Sequence, residues 1–284
     1  MTAVQTNLKV THLQETFESS VNREDSDLVK YMQSSFMRPE VSGQPSLHQK
    51  TIDLPFYRKL LISKDITPQE LLLHFVNLSA IFTKIETLIK TSEVFQDIIG
   101  EDLFRYSEVE KDIKFFIDNY SLKRPLITPE TSKFLDFIDE TNESNKNLMI
   151  AVLYVQYSGL FLGRVVCNGT IDFLKKTISN WKDLPPDMNG ISYWKFGNLE
   201  ANALEERKKT LLEKISFHGA AVNYRESLKH IAKKAFEYNH ESIKSVVPNS
   251  RLIQLQQKNN SHDIFKVALA GCFMLIACLY MFRS

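Results

Sequence analysis

One place in this chain spells out a helix start in full, and a second repeats its Thr-Pro opening. Thr67-Pro68-Gln69-Glu70 puts a hydroxyl at the N-cap, a proline at the first helical position and a glutamate whose carboxylate can reach back to the cap amide. The run from Leu71 to Ile89 that follows is long, apolar and helical in period. Thr128-Pro129-Glu130 repeats the signal ahead of Lys133–Asp139. No stretch shows apolar–polar alternation bounded by hairpin turns. Nine glycines in 284 residues are few for folds full of tight turns. The chain therefore reads as all-α, with about eight helices in a single domain.

The remaining elements follow from breakers and periodicity. A short helix is expected over Asp27–Phe36, ended by Arg38-Pro39 and Ser42-Gly43-Gln44-Pro45. Ser46 then caps a segment whose apolar face is Leu47, Leu54, Tyr57 and Leu61, with Pro55 placed to kink it. Further helices are expected at Glu93–Ile99 and Ser107–Tyr120. Asn147–Val166 is the most apolar segment outside the C-terminal tail. Beyond a polar gap containing Pro185-Pro186 come helices at Leu199–Phe217 and from Tyr224 to about Val246.

The two ends differ from this middle. Residues 1–25 are polar and without apolar period, which suits a loose arm. Residues 26–247 form the helical domain, 248–263 a polar linker, and 264–282 an apolar run. At ~1.5 Å per residue that run approaches the ~30 Å hydrocarbon core of a bilayer. Lys266 can snorkel to one interface and Arg283 can sit at the other. No apolar signal-peptide region precedes the domain. The expectation is a cytosol-facing protein held by a C-terminal transmembrane tail anchor. The short span suits the endoplasmic reticulum membrane, with the mitochondrial outer membrane as the alternative. Thirty-five basic against 34 acidic residues supply no net pull toward nucleic acid. Cys167 stands alone outside the tail, so no disulfide framework is expected. No nucleotide-binding glycine loop and no zinc-ligand spacing occurs.

Chemistry concentrates in two places. Tyr154-Val-Gln-Tyr157-Ser-Gly159-Leu-Phe-Leu-Gly163 sets two glycines four apart within a helical pattern, each costing about 0.5–1 kcal/mol relative to alanine. Close helix packing or a flat ligand against the backbone would each require that space. His48, early in the helix after Ser46, carries an imidazole suited to axial ligation of haem iron. The other histidines read as core (His74) or solvated (His218, His230, His240). Lys111, Lys114 and Lys123-Arg124 read as a solvated face before a docking patch.

Taken together these blocks resemble the haem oxygenase family. His48-Gln-Lys-Thr-Ile-Asp-Leu-Pro-Phe56-Tyr-Arg58 is similar to the family's proximal helix, and the Tyr154–Gly163 segment to its distal helix, Tyr-x-Arg-Tyr-Leu-Gly-Asp-Leu-Ser-Gly-Gly. Phe75–Ile89, Asp102–Ile113, Tyr193–Leu199 and Ala232–Asn239 resemble further family blocks, in family order, from about 46 to 246. A tail anchor after a polar linker is also the family's eukaryotic arrangement. The resemblance implies an all-helical domain holding haem, both substrate and cofactor, between the two helices. His48 would bind the iron, and the Gly159 and Gly163 backbone would approach the opposite face. Tyr154 would meet a propionate; the family's later-helix Lys and Arg fall at Glu206 and Thr210, and Arg207, Lys208 and Lys209 would take their place if the register slips by one. The implied reaction opens haem to biliverdin, CO and ferrous iron, with electrons from NADPH through membrane-bound cytochrome P450 reductase.

Several positions depart from the family pattern, Val41, Glu206 and Thr210 standing where it has basic residues. Leu160 replaces the aspartate that organises distal water, Arg164 the second glycine of the Gly-Gly pair, and Ile52 the glutamate that steadies the proximal histidine. These departures favour an alternative, a membrane-tethered haem-binding or interaction protein without turnover. A weaker resemblance, Leu162-Gly163-Arg164-Val165-Val166 to the Asn-Trp-Gly-Arg-Ile-Val motif of Bcl-2-like apoptosis regulators, has no second motif beside it.

Overall fold

A computed structural model describes residues 28–60, 65–161, 190–195, 201–220 and 224–247. Among them there is no strand. The helices are α1 (28–37), α2 (Leu47–Ile52), α3 (Pro55–Arg58), α4 (Pro68–Lys90) and α5 (Glu93–Ile98). They continue with α6 (Tyr106–Tyr120), α7 (Pro129–Ser144), α8 (149–161), α9 (Ala201–Ala220) and α10 (Arg225–Lys244). Gly163, Arg164, Cys167, the N-terminal arm, the linker and the apolar run at 264–282 lie outside the described residues.

The capping signals work as their spacing predicts. Thr67 Oγ1 accepts from the Glu70 amide at 3.2 Å, and Glu70 Oε2 accepts from the Thr67 amide at 2.8 Å. Thr128 Oγ1 likewise accepts from the Thr131 amide at 3.3 Å, and α7 runs well past the expected Asp139 to Ser144. A cap contributes ~1 kcal/mol, whereas burying one large apolar side chain contributes ~1.5–3. The cap therefore fixes where α4 begins, and packing keeps it in place. Phe75, Phe82, Ile85 and Ile89 are fully buried along α4, which packs against α5, α6 and α7. By length and composition α4 could cross a membrane, but most of it is buried within the protein. It is the core helix.

The segment after Ser46 is two short helices rather than one kinked helix. The ring of Pro55 disfavours helical geometry at the residue before it, and Leu54 adopts φ −58°, ψ 145°. The chain leaves α2 at Ile52 and restarts with Pro55 in the first turn of α3.

Residues 190–195 are seated on α6 by three contacts. Gly190 has φ +105°, and a Cβ there would lie 2.7 Å from the Phe115 ring, so only glycine fits. Asp112 accepts from the Ser192 and Tyr193 amides at 2.7 and 2.8 Å. Arg105, buried, donates to Lys195 O at 2.7 Å and to the carbonyls of Asp102 and Leu103. This seat presses Tyr193 and Trp194 against Phe75 of the core.

Candidate functional site

Ser46 Oγ accepts from the Gln49 amide at 3.2 Å and sets His48 in the first turn of α2. The imidazole is half-buried, and burial lowers its pKa, keeping the ring neutral at physiological pH as metal ligation requires. Its ring lies 6.2 Å from that of Phe236 on α10. Phe236 stacks on Phe36 of α1 at 4.4 Å and 10°, and Phe36 lies 6.4 Å from Tyr154 on α8. Four aromatic rings thus run from the histidine helix to the glycine helix. Tyr154 is buried, and burial raises its phenol well above the usual range.

Gly159 separates the two reasons for a glycine in this helix. It is exposed, and no described atom lies within 4 Å of where its Cβ would be. Among the described residues, helix packing does not require it. At this one position the backbone carries no side chain and meets no described neighbour. Gly159→Ala is expected to raise the stability of the haem-free chain by about 0.5–1 kcal/mol in urea unfolding; a loss of stability instead would show a packing role. Leu160, beside it, is buried and carries no hydrogen-bonding atom. Gln156, which stands where the family motif has arginine, is buried, and its Nε2 has no partner among the described residues.

The basic candidates on α9 have other company. Arg207 donates from Nε to Asp102 Oδ2 at 2.8 Å and also from Nη2 to Oδ1, a bidentate pair tying α9 to the turn before α6. Lys208 lies 3.7 Å from Glu205 on its own helix. The structure brings His48 and Tyr154 to one aromatic seam and turns Arg207 toward Asp102.

His74 is the core residue expected, packed 4.3 Å from the Phe56 ring, with its pKa lowered to about 3 by burial. His230 is exposed as expected. Two other histidines are not simply solvated. His218 Nε2 meets Asp97 at 2.8 Å, and His240 Nδ1 meets Thr51 Oγ1 at 2.8 Å. Polar sequence neighbours hid both. For His240 the available signal was its place one turn after Phe236. Of the cations read as a solvated face, Lys111 pairs with Glu108 and Arg124 with Glu110.

The fold is that of the haem oxygenases. The heme oxygenase of Leptospira interrogans matches with 18% identity and a TM-score of 0.60, over 77% of this chain and 98% of its own. Heme oxygenase-1 of the cyanobacterium Synechocystis, solved with heme, matches with 17% identity and a TM-score of 0.61, over 83% and 97%. Heme oxygenase-2 of the same organism, solved with heme and NO, gives 16% and 0.59, over 78% and 84%. No curated protein sequence matches this chain significantly. The Heme oxygenase family model matches residues 44–245, well over half of the sequence, and the chain belongs to that family.

Proposed function

We propose that this protein binds haem between α2 and α8 and opens it oxidatively to biliverdin, CO and ferrous iron. The observation that carries the reading is His48: a half-buried, neutral imidazole joined through Phe236 and Phe36 to the helix of the open Gly159. These groups fit haem, for one would supply a nitrogen ligand to its iron and the other a backbone position without a side chain. Bound haem would bring the iron at which oxygen is reduced, and the protein would supply orientation and exclusion of water. Gly163 takes the same role only by its resemblance to the family motif. Tyr154 and Lys208 would face the propionates, joined by Arg207 if it exchanges Asp102 for a propionate. Electrons would come from NADPH through a membrane-bound cytochrome P450 reductase. The apolar run at 264–282 would hold both partners on one membrane, the endoplasmic reticulum in this reading, and raise their effective concentration.

Leu160 favours a second reading, in which haem is held without turnover. Buried and apolar beside Gly159, it cannot organise water. Titrating the full chain with haem decides between these readings. A stoichiometric Soret band that His48→Ala abolishes is expected, and its absence would sink both. Biliverdin absorbance after adding reductase and NADPH is expected; its absence alongside an intact band would leave the second.

A further inference from the structure

The proximal helix has an anchor that the sequence pattern lacks. α2 is only six residues long, and so short a helix does not hold its own geometry in water. Ile52, one turn after His48, offers no polar group to steady it. Thr51, buried on the same short helix, does. Its Oγ1 donates to Leu47 O at 2.9 Å, the carbonyl immediately before His48. The hydroxyl has one proton, so its oxygen must accept in the other contact, the 2.8 Å hydrogen bond with His240 Nδ1. His240 therefore carries its proton on Nδ1 and is itself half-buried on α10. Its Nε2 lies 3.8 Å from Glu241 Oε1, beyond hydrogen-bond reach, and that carboxylate accepts from Lys244. One turn earlier on α10, Phe236 meets the His48 ring. Two successive turns of α10 thus grip two positions on α2, one at the imidazole and one behind it.

We propose that Thr51 and His240 are positioning residues for His48, a hydrogen-bonded clamp from α10 that fixes the orientation of the axial imidazole. This rests on the reading of His48 as the haem ligand. Groups that hydrogen-bond behind metal-bound histidines hold ring orientation, and losing one costs about 10–100-fold in affinity. The clamp reaches the ligand through the backbone of its helix, so the lower end is expected here.

Full-length Thr51→Val and His240→Leu chains are titrated with haem, with helix content checked by circular dichroism. The iron–imidazole stretching line of the ferrous form is then read by resonance Raman. Both variants are expected to bind haem about tenfold more weakly and to shift or broaden that line. Thr51→Ser, which keeps the hydroxyl, and His240→Asn, which keeps a donor near Nδ1, are expected to restore both readouts. Wild-type affinity and an unchanged line in folded Thr51→Val and His240→Leu would overturn the clamp, as would failure of both rescues. A Soret band that does not depend on His48 would overturn the ligand assignment and the clamp with it; the His48→Ala control tells the two failures apart.

Discussion

Glu70→Ala is expected to cost about 4 kcal/mol of unfolding free energy. Lys59 Nζ donates to both carboxylate oxygens at 2.8 Å, and each side chain is only 6% exposed. Removing one member of a buried ion pair leaves the other charge uncompensated, a loss of about 3–5 kcal/mol. Glu70 is also the returning half of the α4 capping box, so the Thr67 amide loses its acceptor too. The double variant Lys59→Met, Glu70→Gln separates these causes. Glutamine at the third helical position can still accept from the Thr67 amide, and methionine fills the volume of the lysine stem. Exchanging a buried ion pair for uncharged side chains of similar volume is often neutral, so the double variant should lie within about 1–2 kcal/mol of wild type in urea titrations. A double variant as unstable as Glu70→Ala would show that the ion pair is not the cause.

The same pair has a pH signature. Burial pushes the Glu70 carboxyl up, but Lys59 and the amide and hydroxyl of Thr67 outweigh it and hold it below the usual glutamate range. A carboxyl that titrates lower folded than unfolded contributes stability above its unfolded value and loses it as pH falls through the folded one. Wild type should therefore lose stability more steeply in acid than the double variant. Lys59 directly follows α3 and Glu70 lies in the first turn of α4, so this contact also sets α3, the helix after the histidine-bearing one, on the core helix.

What was legible in the sequence shares a physical character. Thr67, Thr128 and Ser46 act on amides three residues away, and short-range chemistry is written in adjacent letters. The all-helical character, the burial of the 71–89 run and the core role of His74 follow from apolar period alone. His48 and Tyr154 stand out because their neighbours match a family pattern, although 16–18% identity to the solved relatives leaves individual side-chain partners undefined. What was not legible depends on distant partners. Arg207 reads as a free cation until Asp102, 105 residues earlier, is placed against it. His240 reads as solvated until Thr51 arrives from 189 residues away. The break at Leu54 lay between these cases: Pro55 announced a distortion, and only the extended Leu54 backbone makes it a separation into two helices.

Asp112 supplies the second large effect, and its sign is opposite to that of Glu70. Its carboxylate, fully buried, accepts the Ser192 and Tyr193 amides that seat residues 190–195 on α6. Asp112→Ala leaves both amides without an acceptor, at about 1–3 kcal/mol each. A cost of about 2–4 kcal/mol at pH 7 is expected in urea unfolding. Burial nevertheless dominates the titration and raises the carboxyl to about 6, with the two amides pulling the other way. Between the ordinary aspartate range, ~3.9, and about 6, the folded chain holds a proton that the unfolded chain has released. Stability then falls as pH rises through that window. The alanine variant has no such group. Its deficit relative to wild type should thus be roughly 1 kcal/mol larger at pH 5 than at pH 7. The comparison isolates Asp112, since every other carboxylate titrates alike in both chains. An equal deficit at the two pH values would mean that the amides, rather than burial, set the titration, and that Asp112 is ionised throughout.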